Sequence, residues 1–131
     1  MRLESLTAVD ALTAMGNREI SAVELAQALM AQAEKCQEVN ALVDFDAERF
    51  LQAAGIADEK RASGEALGPL HGLPLVIKDN IDIEGFETTA STPALSGNFP
   101  KQTAPVMKKL LDAGAIVMAK ANMHELAFSP G

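Results

Sequence analysis

The sequence predicts an α/β fold in which N-terminal helices precede the first strands and helix of a mixed sheet flanked by helices. Three observations predict this class. Capped, alanine-rich amphipathic stretches fill most of residues 1–64, as in helices that pack on a core. Two short continuous apolar runs, at 75–77 and 115–119, are typical of strands buried on both faces. One helical pattern separates them, which makes a strand–helix–strand unit with a right-handed crossover.

The first half of the chain carries clear helix-start signals. Ser21 followed by Glu24 has the spacing of a capping box, and Thr7 followed by Asp10 repeats the pattern. The predicted elements are helices at 8–15, 21–36 and 46–62 and a strand at 40–45. Residues 1–64 are therefore expected to be mainly helical.

The second half begins with turn-forming glycines and a proline and then enters the two apolar runs. Between them, Thr103 is expected to cap a helix over 104–113. Its inward face is predicted to consist of Val106, Leu110 and Leu111. After the second run, Asn122 is expected to cap a last helical turn over 123–127.

The composition fits an ordinary globular protein. The chain has 131 residues, of which 48% are hydrophobic and 22% charged, so one domain with a substantial core is expected. The formal net charge of −7 argues against direct contact with nucleic acid or an anionic membrane. No apolar run approaches the roughly 20 residues of a membrane span.

The expected location is the cytoplasm. The one cysteine, Cys36, has no second cysteine with which to form an internal disulfide, and this suits a reducing compartment. No apolar segment typical of a signal peptide follows Met1.

Lys78 is the leading candidate for chemistry because it directly follows the apolar run at 75–77. Burial disfavours the charged ammonium, so a lysine at the end of a buried strand can be neutral near pH 7 and act as a base. Two structural alternatives stay open at this point. Lys78 can emerge on the surface, or it can pair with Asp79 or Asp82 and close the sheet edge.

The sequence indicates no metal and no cofactor. His124-Glu125 begins like the zinc motif H-E-x-x-H, but its fifth position is Phe128, and His71 lies far away in a turn. Neither GxGxxG nor GxxxxGK[ST] occurs. A Schiff base between Lys78 and pyridoxal phosphate is chemically feasible, but the chain lacks a Gly/Ser loop to hold the phosphate.

The segment GPLHGLPLVIKDNIDIEGFETTASTPAL, at 68–95, resembles the lysine-bearing segment of the amidase signature family. The segments at 104–106, 110–117 and 119–127 resemble the helix, strand and turn that follow it, in the family's order and approximate spacing. The resemblance is strong over 65–131 and weaker over 1–64.

The resemblance implies that residues 1–131 are the N-terminal part of a single amidase domain. Residues 1–64 would be a helical lead-in, and 65–131 would begin the α/β catalytic core. Family members use a Ser-cisSer-Lys triad, in which Lys78 matches the lysine. The two serines belong to a glycine- and serine-rich loop, but this chain contains neither Gly-Gly nor Ser-Ser. The chain alone is therefore expected to be inactive.

For the whole enzyme, the resemblance implies hydrolysis of a small amide to its acid and ammonia. Ala127, Phe128 and Ser129 match positions that face the family's acyl-binding site, with an ordinary surface turn as the alternative. Two other functions stay open: the glutamine-hydrolysing component of a tRNA-dependent amidotransferase, and a non-catalytic module that binds a partner through an exposed sheet edge. The family's N-terminal helices often serve dimer contacts, so a homodimer is among the expected partners.

One loop departs from the family's pattern. The family usually carries a Gly-Ser pair where this chain has Ser91-Thr92, so only the second hydroxyl is kept. Ser91 does not adopt a positive φ as freely as glycine. The family's loop geometry is therefore not carried over to this segment.

Overall fold

A computed structural model of the protein describes residues 1–129 and confirms the α/β class. The helices are α1 (Ala8–Gly16), α2 (Ala22–Lys35), α3 (Ala47–Ala62) and α4 (Pro105–Asp112). The strands are β1 (Leu42–Phe45), β2 (Pro74–Lys78) and β3 (Ile116–Ala121). Short 3₁₀ turns join several of these elements. No helix among the described residues is long and apolar enough to cross a bilayer.

The predicted helix starts are confirmed by the bonds at their first turns. Ser21 Oγ accepts from Glu24 N at 3.0 Å, and Glu24 Oε2 accepts from Ser21 N at 2.8 Å, which completes the capping box. Thr7 Oγ1 accepts from Asp10 N at 3.1 Å at the start of α1. Because these caps are local, the sequence alone located the N-terminal helices to within one or two residues.

The sheet has the order β1-β3-β2 and is mixed, as predicted. β1 runs antiparallel to β3, with Leu42 opposite Ala121. β2 runs parallel to β3, with Pro74 opposite Ile116 and Lys78 opposite Ala121. α4 is the crossover between the two parallel strands. β3 is therefore the central strand, and β2 is an edge strand among residues 1–129.

Of the two strands predicted to be buried on both faces, β3 agrees with the prediction and β2 does not. Val117, Met118, Ala119 and Lys120 of β3 are buried at consecutive positions, as expected for a strand covered on both faces. In β2, Ile77 is buried, but Val76 is 45% exposed. Within residues 1–129, β2 has a neighbouring strand on one side only, and the face that carries Val76 is open.

Two apolar clusters pack on the sheet. The larger one contains buried residues of α1, α2 and α3 together with Met118 and Ala119. The smaller one contains Ile77 and Val117 of the sheet, Met107 of α4, and Ile83 and Phe86 of the loop after β2. Val117 and Met118 point to opposite faces and belong to different clusters. Met118 and Ala119 share the larger cluster, and the register with β2 shifts at this point.

The start and the inward face of α4 differ from the prediction. Thr103 does not cap the helix, because its Oγ1 accepts from Glu84 N at 3.0 Å in another loop. The N-cap is Ala104, which makes no side-chain cap bond, and Pro105 begins the helix. Val106 is 57% exposed, while Met107 is 1% exposed. Met107 therefore takes the inward place predicted for Val106, while Leu110 and Leu111 pack on the smaller cluster as predicted.

The last predicted helical turn is a 3₁₀ turn over Glu125–Ala127, and Asn122 does not cap it. The N-cap position belongs to His124, and Leu126 inside the turn has a left-handed φ of 50°. Asn122 Nδ2 instead donates to Asn40 O at 3.0 Å, which ties the end of β3 to the start of β1.

Candidate active site at the carboxyl ends of β2 and β3

Lys78 is the last residue of β2 and lies at the carboxyl end of the parallel strand pair. Its side chain is exposed, so the expected burial is not found. It forms no ion pair with Asp79, Asp82 or any other residue of the described chain. Two structural alternatives were considered from sequence, and the structure shows the first of them: Lys78 emerges at the surface.

Asp79 follows Lys78 but turns into the interior, where its side chain is only 1% exposed. Its partner is Lys120 of β3, which is fully buried; the ammonium nitrogen lies 3.2 Å from Asp79 Oδ1. Lys120 Nζ also donates to Glu87 O at 3.1 Å. Two opposite charges share a dry site, so each offsets much of the other's desolvation cost.

The loop after β2 supplies the remaining contacts of Asp79. Thr89 N donates to Asp79 Oδ2 at 3.3 Å, and Thr89 Oγ1 donates to the same oxygen. In the main chain, Asp79 N donates to Ala121 O at 3.1 Å, and Ala90 N donates to Asp79 O at 3.0 Å. Through its carboxylate and its main chain, Asp79 therefore joins the ends of β2 and β3 and the following loop.

Ala90 and Ser91 in this loop both have left-handed backbone, with φ of 47° and 54°. For residues other than glycine this conformation costs about 1 kcal/mol or more each. The Ser91 hydroxyl donates to Asn122 Oδ1 at 2.8 Å and accepts from Met123 N at 3.2 Å. Serine thus adopts the positive φ that glycine favours, and its hydroxyl joins the loop to the residues after β3. Such strain persists where surrounding contacts over-determine the conformation.

The residues predicted to contact substrate lie at the same end of the sheet. Leu126 N donates to Ala90 O at 2.9 Å, and Ala90 is bonded to Asp79, the neighbour of Lys78. Ala127, which has a left-handed φ of 59°, follows Leu126 in this turn. The turn continues into two further exposed residues, Phe128 and Ser129. The structure therefore brings the predicted substrate-contacting residues and Lys78 to one edge of the fold.

Sequence reasoning missed Lys120. A usable signal was present, because Lys120 directly follows the apolar run at 115–119, just as Lys78 follows the run at 75–77. Applied evenly, the rule that selected Lys78 also selects Lys120. The structure separates them, since one side chain is exposed and the other is completely enclosed.

The two histidines have different surroundings. His71 is buried, and its Nε2 lies 2.7 Å from Ala57 O, so the ring is bonded within the core. His124 is exposed at the start of the last 3₁₀ turn. Within residues 1–129, no group of three histidine, cysteine or acidic side chains is placed to hold a metal ion.

Amidases are among the solved structures that this fold resembles. A crystal structure of an amidase superposes with a TM-score of 0.87 at 32% identity, covering 94% of this chain and 28% of the other. The peptide amidase of Stenotrophomonas maltophilia superposes with a TM-score of 0.84 at 31% identity, covering 93% of this chain and 26% of its own. The fold therefore matches about a quarter of an amidase fold.

The sequence comparisons agree. The profile of the Amidase family matches residues 24–131, and the chain belongs to that family. It is 42% identical to mandelamide hydrolase of Pseudomonas putida over 96% of its length, and 41% identical to the A subunit of glutamyl-tRNA(Gln) amidotransferase of Lachnospira eligens over 97%. The matches cover 25% and 27% of those two proteins. The chain spans about a quarter of the length of these curated relatives.

Proposed function

We propose that the protein is an amide hydrolase that cleaves a carboxamide to its acid and ammonia, with Lys78 as the catalytic base. One observation carries the proposal: Lys78 stands exposed at the carboxyl end of β2, while the adjacent acid Asp79 is already paired with Lys120. Among the described residues no carboxylate pairs with the Lys78 amine, so it is free to contact a serine of the proposed triad.

In the proposed reaction, Lys78 takes the proton of a serine held in a cis peptide, and that serine takes the proton of a second serine. The second serine then attacks the amide carbonyl, and main-chain N–H groups stabilise the charge that develops on oxygen. The relayed proton goes to the leaving nitrogen, and water finally releases the acyl group.

Within the proposed domain, residues 1–64 are a helical lead-in and residues 65–131 begin the catalytic core. The triad's two serines are proposed to lie in a longer polypeptide, because this chain has no Gly-Gly or Ser-Ser. The 131-residue chain alone is then inactive. Ala127, Phe128 and Ser129 are proposed to line the acyl side of the substrate site, supported by their link through Leu126 to the loop beside Asp79.

The proposal is tested by measuring ammonia release from small aliphatic and aryl amides, mandelamide included. The enzymes compared are the 131-residue chain and a protein extended to the length of the relatives. Activity is expected only in the extended protein and is lost on Lys78→Ala. Lys108→Ala is the matched control, because Lys108 is an exposed lysine on α4. Turnover by the 131-residue chain, or equal activity in Lys78→Ala, contradicts the proposal.

The likeness to an amidotransferase component favours a second enzyme function, the hydrolysis of glutamine within a complex of several proteins. Glutamine therefore belongs in the same panel. Ammonia release from glutamine that depends on co-purifying proteins selects this function, while rapid release from mandelamide by the isolated protein selects the first.

The exposed edge of β2 supports a non-catalytic alternative, in which this strand pairs with a partner or a second copy. Val76 on this strand is 45% exposed. Sedimentation at several concentrations tests whether a homodimer forms. Inactivity of the extended protein together with concentration-dependent association selects this function. The proposed location is the cytoplasm, which the single cysteine suits.

A further inference from the structure

We propose that Lys120 is a positioning residue for Lys78: its ammonium neutralises Asp79, which fixes the end of β2 and shields Lys78 from the adjacent negative charge. The inference rests on the proposed role of Lys78 as a base. It gives a role to the buried Lys120 ammonium, which is not a member of the proposed triad.

Asp79 and Lys120 form an ion pair that is enclosed in the interior. The Lys120 side chain is 0% exposed and that of Asp79 is 1% exposed, with 3.2 Å between Nζ and Oδ1. Thr89 donates two hydrogen bonds to Asp79 Oδ2, and these favour the ionised carboxylate. The Asp79 side chain is therefore enclosed with the Lys120 ammonium as its counter-ion.

The other charged groups near Asp79 and Lys120 have partners of their own. Asp44 of β1 lies opposite Lys120 in the sheet, but its Oδ1 is 2.9 Å from Arg49 Nη2. Asp44 Oδ2 accepts from Glu87 N at 3.1 Å. The Glu87 carboxylate accepts a main-chain hydrogen bond within its own loop. Among residues 1–129, Lys120 is thus the cation that balances Asp79.

Lys78 directly precedes Asp79, so the charge balance between Asp79 and Lys120 affects it as well. Lys78 and Asp79 are consecutive residues whose side chains point to opposite sides of the strand end, one to solvent and one inward. An uncompensated carboxylate at this position favours the ammonium form of Lys78. The neutral base would then form only at higher pH. The acid limb of the pH profile of kcat/KM would therefore shift to higher pH.

The test uses the extended enzyme and three variants. Lys120→Gln removes the charge but keeps a donor for the Glu87 carbonyl. Lys120→Arg keeps the charge. The double variant Asp79→Asn with Lys120→Met removes both charges. Two readouts are taken: the pH profile of kcat/KM, and the pH dependence of Lys78 acetylation by acetic anhydride, with the exposed Lys108 as the internal standard.

In Lys120→Gln, both the acid limb and the acetylation curve of Lys78 are expected to move up by about half to one pH unit. In the double variant and in Lys120→Arg, both curves are expected to have the same midpoints as in the parent enzyme. A purely structural role for Lys120 would lower kcat without moving either curve.

Unmoved curves in folded Lys120→Gln overturn the inference. If that variant does not fold, a shifted acetylation curve in the double variant overturns it, because charge balance is preserved there. The acetylation readout needs no turnover. A failure of the proposed amidase function, seen as absent hydrolysis, is thereby distinguished from a failure of the charge-balance inference.

Discussion

Lys78 and Lys120 end up in opposite environments although they belong to neighbouring parallel strands and each follows an apolar run. Lys120 lies on the central strand β3, between two apolar clusters, and is fully buried against Asp79. Lys78 lies on the edge strand β2 and reaches solvent. The two lysines therefore differ in burial, which the apolar run before each of them does not predict.

The same difference in burial explains why Asp79 does not pair with Lys78, the proposed base that precedes it. Asp79 is one residue from Lys78, yet its side chain is bonded to Lys120 and Thr89 on the interior side. Both Thr89 donors go to Asp79 Oδ2, while Oδ1 makes no hydrogen bond and has the Lys120 ammonium as its ion-pair partner at 3.2 Å. Three variants sharpen the contrast between the two lysines.

The largest expected effect is on stability at the buried lysine. Lys120→Met leaves Asp79 as an uncompensated buried charge, so the free energy of unfolding should fall by about 3–5 kcal/mol. Denaturant unfolding measures this change. Adding Asp79→Asn should restore part of the loss, because the isolated charge is removed. A loss below about 1 kcal/mol in Lys120→Met, within the range of exposed ion pairs, would show that the pair is not a dry one.

A smaller effect is expected at Thr89. Thr89→Val keeps the shape of the side chain but removes the hydroxyl that donates to Asp79 and accepts from Ser91 N. The free energy of unfolding should fall by about 1–3 kcal/mol, as for a hydrogen bond to a charged group. Thr103→Val is the matched control, since Thr103 accepts a bond from a neighbouring loop without touching a charge. Equal losses of unfolding free energy in Thr89→Val and Thr103→Val would show that the bond to the Asp79 carboxylate is no stronger than one to a neutral group.

The smallest effect is expected at the exposed lysine. Lys78→Met should change the free energy of unfolding by less than about 0.5 kcal/mol, because no ion pair of the described residues is lost. The same denaturant series gives the value. A loss comparable to that of Lys120→Met would mean that Lys78 is a structural residue after all.

Elements stabilised by their own sequence were the most predictable ones. The start of α2 follows from Ser21 and Glu24, which bond to each other across one helical turn. The strand–helix–strand unit followed from apolar runs of the right length. The amidase resemblance, carried by the segment around Lys78, is confirmed by the family match over residues 24–131.

Features decided by tertiary contacts were not predictable. Thr103 has the sequence position of a cap, but Glu84 from another loop takes its hydroxyl. Val106 fits an apolar stripe, but starting the helix at Pro105 turns Met107 inward instead. The burial of Lys120 depends on β3 being the middle strand, and strand order is not contained in any local pattern.

The left-handed backbone at Ser91 is a further case. Its replacement of the family's glycine suggested a different loop geometry, yet Ser91 has a φ of 54°. Its hydroxyl bonds to Asn122 and to Met123 N, more than 30 residues later in the chain. Long-range contacts of this kind hold a strained residue where sequence alone predicts none.

The most direct test of the account is the kcat/KM of Lys78→Arg for amide hydrolysis in the extended enzyme. Arginine keeps the positive charge and the length of the side chain but does not give up its proton at working pH. The account predicts an unchanged unfolding midpoint and a fall in kcat/KM of about 10²–10⁴-fold, the usual contribution of a general base. Parental kcat/KM in a folded Lys78→Arg enzyme would contradict the claim that the exposed lysine performs the chemistry.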